Sequence, residues 1–132
     1  MPEWNDKGIV LSVRKYGEKG LITNVLTNYH GRHLGWISSN KNILSVVQPG
    51  NLVDVSWKSR LVEQMGNYKI ELVSAISGKN FDNKFKLQAI ISLCSLLEKI
   101  LPERQSYPEV FKATEAFLNL LLIDNSLENF WI

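Results

Sequence analysis

The chain has 132 residues, 45% of them apolar and 21% charged, which allows one domain with a sizeable core and argues against a disordered chain. Its formal net charge of +2 is too small by itself to announce a nucleic-acid partner. A single cysteine excludes an intrachain disulfide and any zinc site built from several thiolates.

The charge is unevenly spread. Up to Gly78 nine bases face six acids, and from Lys79 onward six bases face seven acids, so the front is mildly basic and the back near neutral. The opening Met1-Pro2-Glu3-Trp4-Asn5-Asp6 has neither the basic nor the apolar region of a secretory signal. The longest apolar runs, around Ile90–Leu97 and Ala116–Ile123, are too short and interrupted to span a bilayer. The expected setting is the reducing cytoplasm, away from membranes. Cys94, inside Ser92-Leu93-Cys94-Ser95-Leu96, reads as a buried structural thiol.

In chain order, Gly8–Lys15 alternates, with Ile9, Leu11 and Val13 on one face of a strand and Val10, Ser12 and Arg14 on the other. Tyr16–Gly20 is a glycine-rich turn. Leu21–Thr27 is a second strand, apolar on both faces, as in a strand covered on both sides. Asn28-Tyr29-His30-Gly31 is a hairpin loop. Arg32–Ser38 is a third strand, with Gly35 expected to mark a bulge or a barrel corner. Ser39–Asn42 is polar, Ile43–Val47 reads as a single helical turn, and Gln48-Pro49-Gly50 is a turn. Leu52–Arg60 points Val53, Val55 and Trp57 inward, and Tyr68–Ser77 makes a fifth strand. Five short strands with a polar and helical insert after the third match the partly open Greek-key barrel of the OB-fold, with an SH3-like barrel as the alternative.

At Gly78 the period changes. Asp82 or Asn83 can cap a helix over Lys84–Ile100, with an apolar stripe of Phe85, Leu87, Ile90, Ile91, Cys94, Leu97 and Leu101. Pro102 stops it. Pro108 starts a second helix that reaches Ile123, with a stripe of Val110, Phe111, Phe117, Leu118, Leu121 and Leu122. Asp124-Asn125-Ser126 breaks that helix and caps a third over Leu127–Ile132, which stops after its first turns. The predicted class is α+β: a five-stranded OB-fold barrel over residues 1–78, then a small, truncated helical domain over residues 79–132 that packs on it.

Catalytic constellations are scarce. His30 and His33 stand three apart, but no nearby carboxylate or thiol completes a metal shell, so they read as solvated or DNA-facing. Glu18 lies in a glycine turn and reads as a turn residue. Gly17-Glu18-Lys19-Gly20 lacks the spacing of a phosphate loop. Neither catalysis nor a cofactor or metal is expected. Binding is better represented, since OB barrels hold single strands with a basic groove and aromatic platforms. The candidates are Arg14, Lys15, Lys19, Arg32, Lys41, Lys58 and Arg60, with Tyr16, Tyr29, Trp36 and Tyr68 as rings. Arg14, Lys15, Lys58 and Arg60 fall at strand ends and are expected to converge on one rim. Trp57 and Trp36 fit a core position as well as a platform.

The pieces Trp4-x-Asp6-x-Gly8-Ile9-Val10-Leu11, Tyr16-Gly17-Glu18, Val25-Leu26-Thr27, Gly31-Arg32-His33-x-Gly35, Gln48-Pro49-Gly50-Asn51 and Trp57 resemble, in order and spacing, the N-terminal part of the RecO family of bacterial recombination mediators. Leu93-Cys94-x-Leu96-Leu97, Leu101-Pro102-Glu103-Arg104 and Tyr107-Pro108 are similar to the start of that family's helical domain. The resemblance implies an N-terminal OB-fold and binding to single- and double-stranded DNA. It implies annealing of complementary strands, and work with RecR and single-strand DNA-binding protein to load RecA. Where the family carries a basic, glycine-rich segment after the third strand, this chain has Ser38-Ser39-Asn40-Lys41-Asn42 with one charge.

Overall fold

The computed structural model describes residues 2–123. Five strands form a closed barrel in the order β1-β2-β3-β5-β4: β1 Glu3–Tyr16, β2 Gly20–Thr27, β3 Arg32–Ser38, β4 Leu52–Lys58 and β5 Asn67–Ser74. Helix α1, Lys41–Val46, lies between β3 and β4. Helices α2 Ile76–Lys79, α3 Lys84–Ile100 and α4 Pro108–Ile123 follow the barrel. This is the OB-fold arrangement expected from the strand count. The third helix expected over Leu127–Ile132 lies outside the described residues.

β1 begins at Glu3, five residues before the apolar alternation that marks it in the sequence. Barrel closure explains the extension. From Arg14, the paired residues run through Ile22, Trp36, Asn67 and Lys58 and return to β1 at Glu3, eleven positions upstream. A closed sheet needs tilted strands and such a stagger. One strand must therefore serve two partners at different heights. The Glu3–Ile9 half of β1 pairs with β4, and the Gly8–Tyr16 half pairs with β2.

A register shift between Val10 and Ser12 changes which face β1 presents. Val10 points into the barrel, Ile9 and Leu11 point toward the helices, and Val13 falls back on the barrel side. The expected grouping of Val13 with Ile9 and Leu11 is thus corrected by the bulge. Gly35 carries no bulge: the register runs straight through it, and the ring of Tyr68 occupies the space a Cβ would need. The fifth strand ends at Ser74 rather than Ser77, because the chain turns into α2.

There are two apolar cores. The barrel interior holds Val10, Leu21, Val25, Ile37, Val53, Val55 and Trp57. The second core lies between the outer barrel face and the helices, where Ile9, Leu11, Leu26 and Leu52 meet Ile76, Ile90, Cys94, Leu97, Phe111, Leu118 and Leu121. Each such side chain gains about 1.5–3 kcal/mol on leaving water, so the shared layer binds helices and barrel into one body. It also explains why β2, buried at every position, reads apolar on both faces.

Asn83 caps α3 by accepting from the Lys86 N–H at 3.1 Å, and Asn40 caps α1 by accepting from Ile43 at 2.8 Å. The stripe on α3 departs from expectation in detail. Phe85 and Ile91 are exposed, while Lys86 is buried with Nζ donating to the Leu121 carbonyl at 3.2 Å, in the last turn of α4. A cation there complements the helix dipole. Cys94 is buried, its thiol donates to the Val10 carbonyl at 3.6 Å, and burial pushes its pKa up to about 12, so it is inert.

The β2–β3 loop is drawn in tightly. Gly31 has φ 72° and its Cα lies against the backbone of Gln105. Gly17, in the β1–β2 loop, has φ 71° but open space around it. Gly17→Ala should therefore cost only the left-handed backbone term of about 1–2 kcal/mol. Gly31→Ala should cost clearly more, measured as urea midpoints, and equal costs for the two would contradict the packing at Gln105.

Candidate nucleic-acid interface

β3 has a loop on each edge, one meeting it at Ser38 and one meeting it at Trp36 and running back toward Arg32. On one side Ser38 pairs with Gly20, and the Ser39 N–H donates to the Lys19 carbonyl at 2.8 Å, which brings up the β1–β2 loop. On the other side Trp36 pairs with Asn67 and donates its N–H to the Gly66 carbonyl at 2.9 Å, which brings up the β4–β5 loop. Arg14, Lys15, Tyr16 and Lys19 are exposed on or beside the first loop, and Lys58 and Arg60 on or beside the second. Lys41 is exposed at the start of α1, just past the end of β3. Trp36 is half-buried across Ile22 on the outer face of the sheet, where a base could stack on it.

Three of the expected contributors lie elsewhere. Arg32 is committed to the helical layer: its Nε donates to the Leu101 carbonyl at 2.8 Å, and Nη1 stands 3.9 Å from Glu103. Tyr29 is exposed at the opposite end of the β2–β3 hairpin, beside a cleft of about 590 Å³ that also holds the carboxylates of Asp6, Asp54 and Glu71. Tyr68 is a core ring whose hydroxyl donates to the His33 carbonyl at 2.7 Å, and burial raises its pKa well above the ordinary tyrosine value. Trp57 points inward, as its strand's alternation predicts, with its indole N–H donating to the Met65 carbonyl at 2.7 Å.

The histidines part company. His30 lies flat on Trp4, ring centroids 4.0 Å apart, and its Nδ1 is 2.9 Å from Asp6. The same Asp6 oxygen accepts from the Tyr29 N–H at 2.8 Å, so one carboxylate at the start of β1 fixes the far hairpin loop. His33 is buried, packed edge-on against Trp4 and Trp57, rather than solvated or DNA-facing. Burial lowers its pKa from 6.5 to about 4, against the effect of its hydrogen bond to the Leu34 carbonyl, and the Arg104 and His30 charges add to the lowering. Among the described residues no three His, Cys, Asp or Glu side chains stand together as a metal site. No described helix is long and apolar enough to cross a membrane.

Arg104 is the residue that sequence reasoning missed. It sits in the α3–α4 connector with φ 60°. Its N–H donates to the Arg32 carbonyl at 2.8 Å, and Glu103 forms a parallel bridge with Arg32, so the connector lies on the open edge of β3. Its guanidinium donates to the Val62 and Gln64 carbonyls and lies 5.4 Å from the centroid of the Trp57 ring. A helical-layer residue thereby holds the β4–β5 loop. The clue in the sequence is slight: an arginine directly after Pro102-Glu103, at a helix stop.

The family described as recombination protein O N terminal matches residues 1–76. The chain belongs to the RecO family. It is 40% identical over 123 residues to the DNA repair protein RecO of Rhodospirillum rubrum, 92% of this chain and 49% of that protein. It is 39% identical over 121 residues to RecO of Rhodospirillum centenum and 36% identical over 121 residues to RecO of Rhizobium etli, 90% of this chain in each case. These cover 48% and 47% of the relatives, so the chain spans about half the length of the curated RecO proteins it matches.

Two measurements check this geometry. Arg104→Gln removes both guanidinium bonds to the loop, so native-state trypsin cleavage after Arg60 should become several-fold faster, and an unchanged rate would contradict the tie. For His33, the unfolded chain takes up a proton near 6.5 while the fold resists it until about 4. This residue's contribution to stability therefore falls as pH drops through that window and levels off below it. The difference in melting temperature between the parent and His33→Gln should narrow on acidification, and a constant difference would place His33 in water.

Proposed function

We propose that this RecO-family chain acts in recombinational DNA repair by binding single-stranded DNA across β3, between the two loops that flank it. The observation that carries the reading is that two basic loops flank β3 on its opposite edges, one meeting it at Ser38 and the other at Trp36. Arg14, Lys15 and Lys19 serve phosphates on one side and Lys58 and Arg60 on the other, while Lys41 extends the basic surface past Ser38. Tyr16, 58% exposed at the loop, adds a second ring for a base. The barrel gives general rather than sequence-specific binding, since phosphates and base faces are common to all sequences. Binding without sequence preference is what annealing of complementary strands requires.

Working with RecR and single-strand DNA-binding protein to load RecA is the further role that fits a mediator of this family. A second reading is a protein-docking module that engages RecR with little DNA contact. It is favoured by the exposed apolar side chains Leu72 and Val73, at the end of β5 opposite Asn67, and Phe81 beyond it.

Salt titration separates the two. Log affinity for a single strand should fall with log salt by about 0.7 per neutralised phosphate. Changing Arg14, Lys15, Lys58 and Arg60 to glutamate should weaken binding at low salt at least tenfold and flatten that slope. Absence of any binding at low salt, with RecR capture intact in the quadruple variant, would replace the first reading by the second.

A further inference from the structure

The β4–β5 loop is ordered by a series of hydrogen bonds to its own backbone. The Ser59 hydroxyl donates to the Leu61 carbonyl, the Leu61 N–H to Gln64 Oε1 at 3.3 Å, and the Gln64 N–H back to the Leu61 carbonyl at 3.2 Å. The Trp57 indole holds the Met65 carbonyl, and Arg104 holds those of Val62 and Gln64. All this fixes the path of a loop whose two central apolar side chains are left in water, Leu61 at 54% and Val62 at 63% exposure. Ordering a loop costs conformational entropy, and here no burial of the tip offsets it. An exposed apolar feature on a fixed support marks a contact surface.

The neighbours indicate the partner. Lys58 and Arg60 are exposed just before the apolar pair and Glu63 just after it, a net positive flank, and the root of the loop is bonded to Trp36 through Gly66. A single strand offers apolar base faces a few ångströms from phosphates, and so matches an apolar tip beside two cations. A purely apolar protein partner would gain nothing from those cations. We propose that Leu61 and Val62 form a wedge that enters between two adjacent bases of a bound DNA strand, while Lys58 and Arg60 hold the flanking phosphates. Apolar side chains inserted at a base step unstack it, and the rigid loop prepays the ordering that such insertion requires. This rests on the DNA-binding reading and adds to it a residue-level role for the loop.

The test uses the whole chain and an oligothymidylate strand carrying one 2-aminopurine, which brightens when it is unstacked. The variant is Leu61→Ser with Val62→Ser, both on exposed side chains, so that the backbone bonds of the loop persist. The parent should brighten the probe. The double variant should bind about tenfold more weakly, the scale of one lost base contact, with no brightening and an unchanged salt slope. Lys58→Gln with Arg60→Gln should do the reverse, flattening the salt slope while brightening persists at saturation. A Leu61/Val62 variant that binds and brightens the probe like the parent overturns the wedge and leaves DNA binding standing. Unchanged DNA binding with lost capture of RecR assigns the loop to protein docking and overturns it equally. No DNA binding by the parent overturns the wedge together with the reading beneath it.

Discussion

The seam between β3 and β5 is held by one parallel backbone pair, Trp36 with Asn67, and otherwise by side chains and the α3–α4 connector. The Tyr68 hydroxyl reaches the His33 carbonyl across it, and the Arg104 N–H takes the Arg32 carbonyl. Two guanidiniums then lock the connector in place, Arg32 on the end of α3 and Arg104 on the β4–β5 loop. A hydrogen bond from a charged donor is worth about 1.5–3 kcal/mol net, and losing one leaves a carbonyl without its partner. The α3–α4 connector thus reinforces the barrel's most sparsely paired joint. What happens at the β4–β5 loop depends on it.

The stagger of the barrel has a second consequence. A strand that closes both edges must be long, and a long strand passes over both cores. β1 does this with one bulge, which lets Ile9 and Leu11 face the helices and Val10 and Val13 face the barrel interior. The start of the same strand carries Trp4 and Asp6 to the far hairpin, where they fix His30 and Tyr29. One strand therefore serves both cores and anchors the β2–β3 hairpin loop.

Much of this was legible in the sequence where a single periodicity governed. β3 begins and ends where the alternation does, α3 runs from the Asn83 cap to Ile100, and α4 begins at Pro108. Legibility failed where contacts from far along the chain decide. Glu3-Trp4-Asn5-Asp6-Lys7 has no apolar alternation, yet it is strand because β4 needs a partner. Arg32 and Arg104 look like surface charges, yet they bond carbonyls sixty-nine and forty-two positions away. His33 looked polar and lies among aromatic rings, because residues from β1, β4 and β5 close over it. At the candidate interface, the sequence places basic residues on both loops but does not show that Arg32 is committed to the helical layer or that Tyr68 is a barrel-core ring.

The small net charge is no argument against a nucleic-acid partner. At physiological salt the screening length is about 8 Å, so a strand lying across β3 responds to the charges around it and little to those on the helices. Around β3 and its two loops stand Arg14, Lys15, Lys19, Lys41, Lys58 and Arg60, against Glu18 and Glu63 in the loops and Glu3 opposite Lys58. At the opposite end of the hairpin, the cleft beside Tyr29 has Asp6, Asp54 and Glu71 with Lys7 and Lys69. The imbalance therefore runs along the barrel and is hidden in the sum. The local arrangement of charge, rather than its total, is the quantity that would steer a polyanion over this surface, toward the loops and away from Tyr29.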